Sequence, residues 1–382
     1  MNTTTLTAEQ AAAQSLASGI AGEALLAIER ATTGFGSWAT AKHLIRKATA
    51  VPIDAGAHSG LYYGAPAIAF VLHRTDADGQ QRYAAEKQTL DQRVRQLARA
   101  RLGIAHERQR TGAASIFSEY DLFTGLTGLG ALLLHQPATD EMAQILRYVV
   151  SLTEPRRIDG MTVPGWWVDH HPDPLLPTPG GHANNGMAHG AAGLLALLAH
   201  ASLRDIRVDG QTDAIGYLCA WFDQWRQEAP TGTWWPQWLT REQVRTSRPG
   251  PGPNRPSWCY GAAGIARALQ LAALATGDRI RQDIAEQAIA ACLTDPQLDR
   301  LTDAGICHGY AGLYQTAQRA AAVAHDPAIV QRLPALATRL TAAAPYGSNA
   351  FLTGNAGVAL VTETIRAGQP PRTRWDACLL IA

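Results

Sequence analysis

The chain has 382 residues, and its 33 basic side chains are almost balanced by 32 acidic ones, which leaves no electrostatic footprint for nucleic acid or an anionic membrane surface. Its five cysteines form no disulfide-type framework, and the polar opening from Met1 to Gln10 is unlike a signal peptide, so a reducing cytoplasm is expected. No apolar run reaches membrane-spanning length.

Read in order, the chain repeats one device, a Gly-x-x-Gly or Gly-x-x-Ala turn that leads into a run of small and apolar residues with helical character. Copies stand at 19–22, 64–67, 125–128, 190–193, 261–264, 309–312 and 354–357. Between them lie segments with charged faces, such as 91–100 and 141–150, that read as second helices. Seven helical hairpins with alternating apolar and amphipathic members predict an all-α fold, an α/α toroid with an inner ring enclosed by an outer one. The alternative is an open α-solenoid with an empty concave face. The whole chain, 1–382, is expected to form a single domain. Glycine fits a helix start crowded at a ring's mouth, where close approach and unusual dihedrals are needed. Two long irregular stretches, 155–186 and 229–257, carry Trp166, Trp167, Trp234, Trp235 and Trp238 and are expected to line that mouth.

The residues just before the leading glycines carry the chemistry. One place before stand Ser18, Tyr63, Thr124, His189, Tyr260, His308 and Thr353; two places before stand Cys259 and Cys307 in consecutive copies; Asp121 stands four before Gly125. If the toroid closes, these positions converge on one rim. Cys259, Cys307 and His308 are a ligand set suited to one Zn2+ ion, with a fourth position left for water or a substrate thiol. The alternative is two buried apolar cysteines beside a hydrogen-bonded histidine, which the shared register disfavours. Asp121 also suits a helix N-cap. His170 and His171, beside Asp169, fit a solvated turn better than a second metal site, and Cys219, Cys292 and Cys378 fit packing positions.

The Gly-Met-Ala-His-Gly run ending at Gly190, the Trp-Cys-Tyr-Gly run ending at Gly261 and the Cys-His-Gly run ending at Gly309 resemble those of the lanthionine synthetase C-like proteins, the cyclases of lanthipeptide antibiotic biosynthesis. The resemblance runs from Gly19 to Cys378. It implies an α/α toroid with zinc on Cys259, Cys307 and His308, an acid/base histidine at His189, its aspartate at Asp121, an arginine at Arg255 and a tyrosine at Tyr260. It further implies a stand-alone cyclase that acts on a dehydrated precursor peptide, beside a separate dehydratase and an exporter complex. A peptide cysteine would add as thiolate to dehydroalanine or dehydrobutyrine, and His189 or Tyr260 would protonate the α-carbon. Two other readings stay open: addition of a small thiol such as glutathione to dehydroamino acids, and a non-catalytic zinc-stabilised scaffold. Acidic residues near the motifs are too sparse for the paired carboxylates of glycoside hydrolysis.

Overall fold

Every glycine-led turn starts a helix, as the small-residue runs predict. The computed structural model describes residues 7–137, 139–173 and 175–382; residues 1–6 of the polar opening, Ala138, and Pro174 of the first long loop lie outside them. Seven inner helices run Ile20–Thr33, Ala65–Arg74, Leu126–Leu133, Ala191–Ser202, Ala262–Thr276, Tyr310–Ala321 and Asn355–Ala367. Each packs on the next and the last packs on the first, so the ring closes. Their composition explains their place: Ala191–Ser202 is buried on every side from Ala191 to Ala201, and a helix apolar all round belongs in an interior.

Six outer helices, Trp38–Ala48, Ala84–Thr111, Asp140–Ser151, Gln211–Trp225, Arg279–Cys292 and Ala328–Ala342, each pack on the inner helix before them. They bury one stripe only; in Ala84–Thr111 it is Lys87, Leu90, Val94, Ala98, Arg101, Leu102 and Ala105, at helical spacing. The architecture is the expected α/α toroid. Its seventh repeat differs, because Gly368 in the left-handed region ends Asn355–Ala367 and Pro370 and Pro371 follow. Among the described residues, no outer helix follows there.

The chain turns inward instead. A 3-10 helix, Trp375–Leu379, and the residues after it fill the middle of the ring. Tyr62 donates to Cys378 O, His200 to Leu380 O, Trp258 to Leu379 O and Arg267 to Ile381 O, while Gln315 and Arg319 bind the buried Asp376 carboxylate. Donors from four repeats thus hold the same short segment. Cys378 packs there, and Cys219 and Cys292 are likewise buried free thiols, as expected of packing residues.

At the rim, a closed belt of backbone hydrogen bonds links the turns of all seven repeats. Leu16 N–H donates to Tyr62 O, Tyr62 to Phe123 O, Leu122 to Ala188 O, Ala188 to Cys259 O, Cys259 to Cys307 O, Cys307 to Leu352 O and Leu352 to Ala17 O, at 2.9 to 3.3 Å. The belt satisfies backbone groups that burial would otherwise orphan, and it fixes the register of the seven turns. It also shows what the glycines do. A Cβ at Gly264 would stand 2.0 Å from Trp258 O, and one at Gly312 would stand 1.8 Å from Ile306 O. Unusual dihedrals were expected as well, but among the leading glycines only Gly64 has positive φ. Close approach is the general cause.

The two long loops hold short strands. Arg156–Ile158 pairs with Met161–Val163, and His182–Asn184 pairs antiparallel with Trp238–Thr240, which stitches one loop to the other above the ring. Trp166, Trp167, Trp234 and Trp235 are buried and anchor these loops.

Candidate metal centre and active site

Cys259 and Cys307 occupy neighbouring places in the belt, and the Cys259 N–H bond to Cys307 O, 3.2 Å long, sets their spacing. Both sulfurs and a ring nitrogen of His308 lie within 4.8 Å of one another. Zinc bonds of about 2.3 Å to sulfur and about 2.0–2.1 Å to nitrogen would require only a modest contraction of this triangle. Two sulfurs and an imidazole select zinc over magnesium or calcium, which take oxygen. The donor set and its spacing therefore fit the ion.

The sulfurs are electrostatically linked. A hydrogen bond from Cys307 holds the Cys259 thiol well below its ordinary value, and the same bond holds Cys307 far above it, opposed by the nearby Arg255 cation. The pair gives up its first proton readily, whereas the second needs a cation at the site. Arg255, on the loop that leads into the Ser257 turn, is half-buried and positioned to act on that charge.

The same rim carries a carboxylate–imidazole pair. His189 Nδ1 is 2.5 Å from Asp121 Oδ2. Asp121 is 3% exposed, and its other oxygen accepts from Thr124 N and Gly125 N, both at 2.8 Å. Asp121 is therefore not the N-cap expected as the alternative, since Gly125 starts Leu126–Leu133 without a side-chain cap and Asp121 ends Phe117–Tyr120; one oxygen ties the turn together and the other aims at the histidine. The His189 ring stacks on Phe117 and Phe123, at 5.1 and 4.9 Å between centroids, and Tyr120 donates to its backbone carbonyl. Tyr260 stands 5.9 Å from the same ring and meets Trp238 edge-on, and burial pushes its phenol above the ordinary range. Beneath them, the buried Arg101 donates to the carbonyls of Ala57, Ser59 and Thr124 and braces the turn that presents Asp121.

The structure therefore brings the seven residues singled out in the sequence to one rim, in two groups: Cys259, Cys307, His308 and Arg255, then His189, Asp121 and Tyr260. His170 stays outside both; it accepts from Phe117 N and packs edge-on against that ring. His171 is exposed.

The profile of the lanthionine synthetase C-like proteins matches residues 10–380. This chain belongs to that family. The nisin biosynthesis protein NisC of Lactococcus lactis subsp. lactis is 23% identical over 204 residues, 52% of this chain and 48% of that protein, so the aligned part spans about half the length of this relative. The solved structure of nisin cyclase superposes with a TM-score of 0.81 at 18% identity, covering 97% of this chain and 93% of that one. At that identity the likeness establishes the toroidal fold.

Within this lanthionine synthetase C-like chain, sequence reasoning missed four residues of the rim. Phe117 and Phe123 flank the histidine. Asp303 and Tyr346 stand behind His308: Asp303 Oδ2 lies 3.4 Å from His308 Nε2, and Asp303 Oδ1 accepts from Tyr346 Oη at 2.5 Å and from Gly305 N at 2.8 Å. Phe123 could have been found from its place two before Gly125, and Asp303 from its place six before Gly309, which is that of Arg255 before Gly261; Phe117 and Tyr346 both stand eight before a leading glycine, as His182 does, but no shared residue type marks that place.

Proposed function

We propose that this chain is a zinc-dependent cyclase that closes thioether rings in a dehydrated precursor peptide, adding cysteine thiolates to dehydroalanine or dehydrobutyrine. The observation that carries the reading is the convergence of Cys259, Cys307 and His308 with the His189–Asp121 pair on one rim. Cys259, Cys307 and His308 would hold the ion, and a zinc ion there supplies one thing, ionisation of an incoming thiol near neutral pH.

The rest falls to the chain's own side chains. As sulfur bonds to the β-carbon, the carbon–carbon π pair moves toward the α-carbon and its carbonyl, and the fixed Arg255 cation lowers the cost of that charge. A proton must then reach the α-carbon. His189 is the donor, because it stands on the rim with Nδ1 held by the Asp121 carboxylate, which fixes the ring and leaves its other nitrogen to face the peptide. The aromatic faces of Phe117 and Phe123 hold it against rotation. The peptide's S–H has then added across a double bond, with no change of mass. Tyr260, with its proton held by burial, orients the peptide in this reading. No helix among the described residues is long and apolar enough to cross a membrane. The enzyme would work in the cytoplasm beside a separate dehydratase and an exporter.

The test is incubation of the zinc-loaded protein with a dehydrated precursor, followed by thiol alkylation and mass spectrometry. Ring closure protects cysteines from the tag while the peptide mass stays constant. Full tagging of every cysteine after incubation would refute cyclisation, and a glutathione-sized mass gain in its presence would establish the small-thiol reading instead. Cys307→Ala should purify with less zinc than the wild type.

A further inference from the structure

Two carboxylate–imidazole pairs on this rim share one plan, a hydrogen bond in the first and a longer contact of the same sense in the second. In the first, Asp121 gives Oδ1 to the backbone of its own turn and Oδ2 to His189. In the second, Asp303 gives Oδ1 to Gly305 N and turns Oδ2 toward His308 Nε2, 3.4 Å away. A carboxylate that only shaped its turn would need one oxygen. The second oxygen, and what holds it, calls for another cause.

What holds it comes from the next repeat. Tyr346 donates its hydroxyl to Asp303 Oδ1 at 2.5 Å and accepts from Gly305 N at 2.9 Å. Tyr346 is itself locked by Asn355, which opens the seventh inner helix: Tyr346 N donates to Asn355 Oδ1 at 2.9 Å and Asn355 Nδ2 donates to Tyr346 O at 2.8 Å. The Asp303 backbone carbonyl accepts from Tyr310 N, which ties it to the helix that follows His308. The Asp303 side chain is 21% exposed and that of His308 is 29% exposed, so water could otherwise turn either of them. Two bonds on the far oxygen remove that freedom.

We infer that Asp303 is a positioning residue for the metal centre, held by Tyr346, and that it accepts the Nε2 proton of His308 so that Nδ1 is the nitrogen left to ligate. The inference rests on the proposed zinc site. A histidine that ligates a metal needs its other nitrogen anchored, because the anchor fixes both tautomer and ring orientation, and loss of such a partner weakens metal binding by roughly ten- to a hundredfold.

The experiment measures zinc affinity by competition with a chromogenic chelator in the full-length wild type, Asp303→Ala, Asp303→Asn and Tyr346→Phe. Asp303→Ala should bind zinc about ten- to a hundredfold more weakly. Asp303→Asn, which keeps an acceptor oxygen, should recover part of that loss. Tyr346→Phe should show a smaller loss in the same direction. Asp303→Ala that binds zinc as tightly as wild type overturns the inference and leaves the metal centre standing; wild type that takes up no zinc overturns both. If Asp303→Ala does not fold, Tyr346→Phe decides alone, since it removes one hydroxyl and unchanged affinity there rejects the role.

Discussion

Asp121 spends one oxygen on its own turn and the other on His189, and this division makes it open to test by a substitution that separates the two jobs. Asp121→Asn keeps a carbonyl oxygen for Thr124 N and Gly125 N but turns an amide toward the histidine, which removes the acceptor that fixes the Nδ1 proton. Ring closure in a single turnover should fall about 10²- to 10⁴-fold, the range for a lost acid/base function, while peptide binding measured separately stays within a factor of a few. An equal loss in binding and closure would show that Asp121 only builds the turn. The four residues His189, Cys259, Cys307 and His308 were legible in the sequence because each stands one or two places before a leading glycine, and the belt converts that register into position. Asp303 and Tyr346 were not legible. Asp303 stands six places before Gly309, as Arg255 does before Gly261, and Tyr346 eight before Gly354, but unlike the cysteines no residue type repeats at those places to mark them, and only the fold brings the two together behind His308.

The helix starts depend on an approach that only glycine allows. At six of the seven turns, a Cβ on the second glycine would meet the carbonyl oxygen six residues earlier, and at Gly312 that oxygen belongs to Ile306, next to Cys307. Gly312→Ala should therefore destabilise by about 1–3 kcal/mol, as overpacking does, and should loosen zinc by displacing the turn that carries Cys307 and His308. Gly103 is the control: it lies exposed within Ala84–Thr111 with nothing near its missing Cβ. Gly103→Ala should stabilise by about 0.4–1 kcal/mol. Urea denaturation of both variants, with zinc content measured alongside, checks the pair; a neutral Gly312→Ala would discard the close-approach account. Inner and outer helices were legible from these glycines and from the charged faces. The strands were not, because pairs such as His182–Asn184 with Trp238–Thr240 are three residues long, too short for alternation to stand out, and join segments distant in the chain.

At the scale of the whole ring, the sequence announced the wheel but not its hub. Nothing periodic marks 375–382, and its role rests on partners from several repeats: Arg267 binds Ile381 O, Arg319 binds Asp376, and His200 donates to Leu380 O. A hub so crowded with arginines has a consequence for acid stability. Burial, and then Arg267 and Arg204 nearby, pushes His200 down to about 3. Burial also pushes His182 down to about 4 and His135 down to about 2. Each is neutral in the folded chain yet titrates near 6.5 once unfolded, so between those values the unfolded state binds more protons. The stability they permit is complete above about pH 6.5 and is lost as pH falls toward the folded values, at about 1.4 kcal/mol per pH unit for each imidazole. From pH 7.5 to pH 5 each should remove about 2 kcal/mol, before most carboxylates begin to titrate. His200→Gln can still donate to Leu380 O but carries no proton to gain. Urea midpoints at the two pH values should show the acid loss reduced by about 2 kcal/mol in this variant; an undiminished loss would mean that His200 does not link the hub to pH.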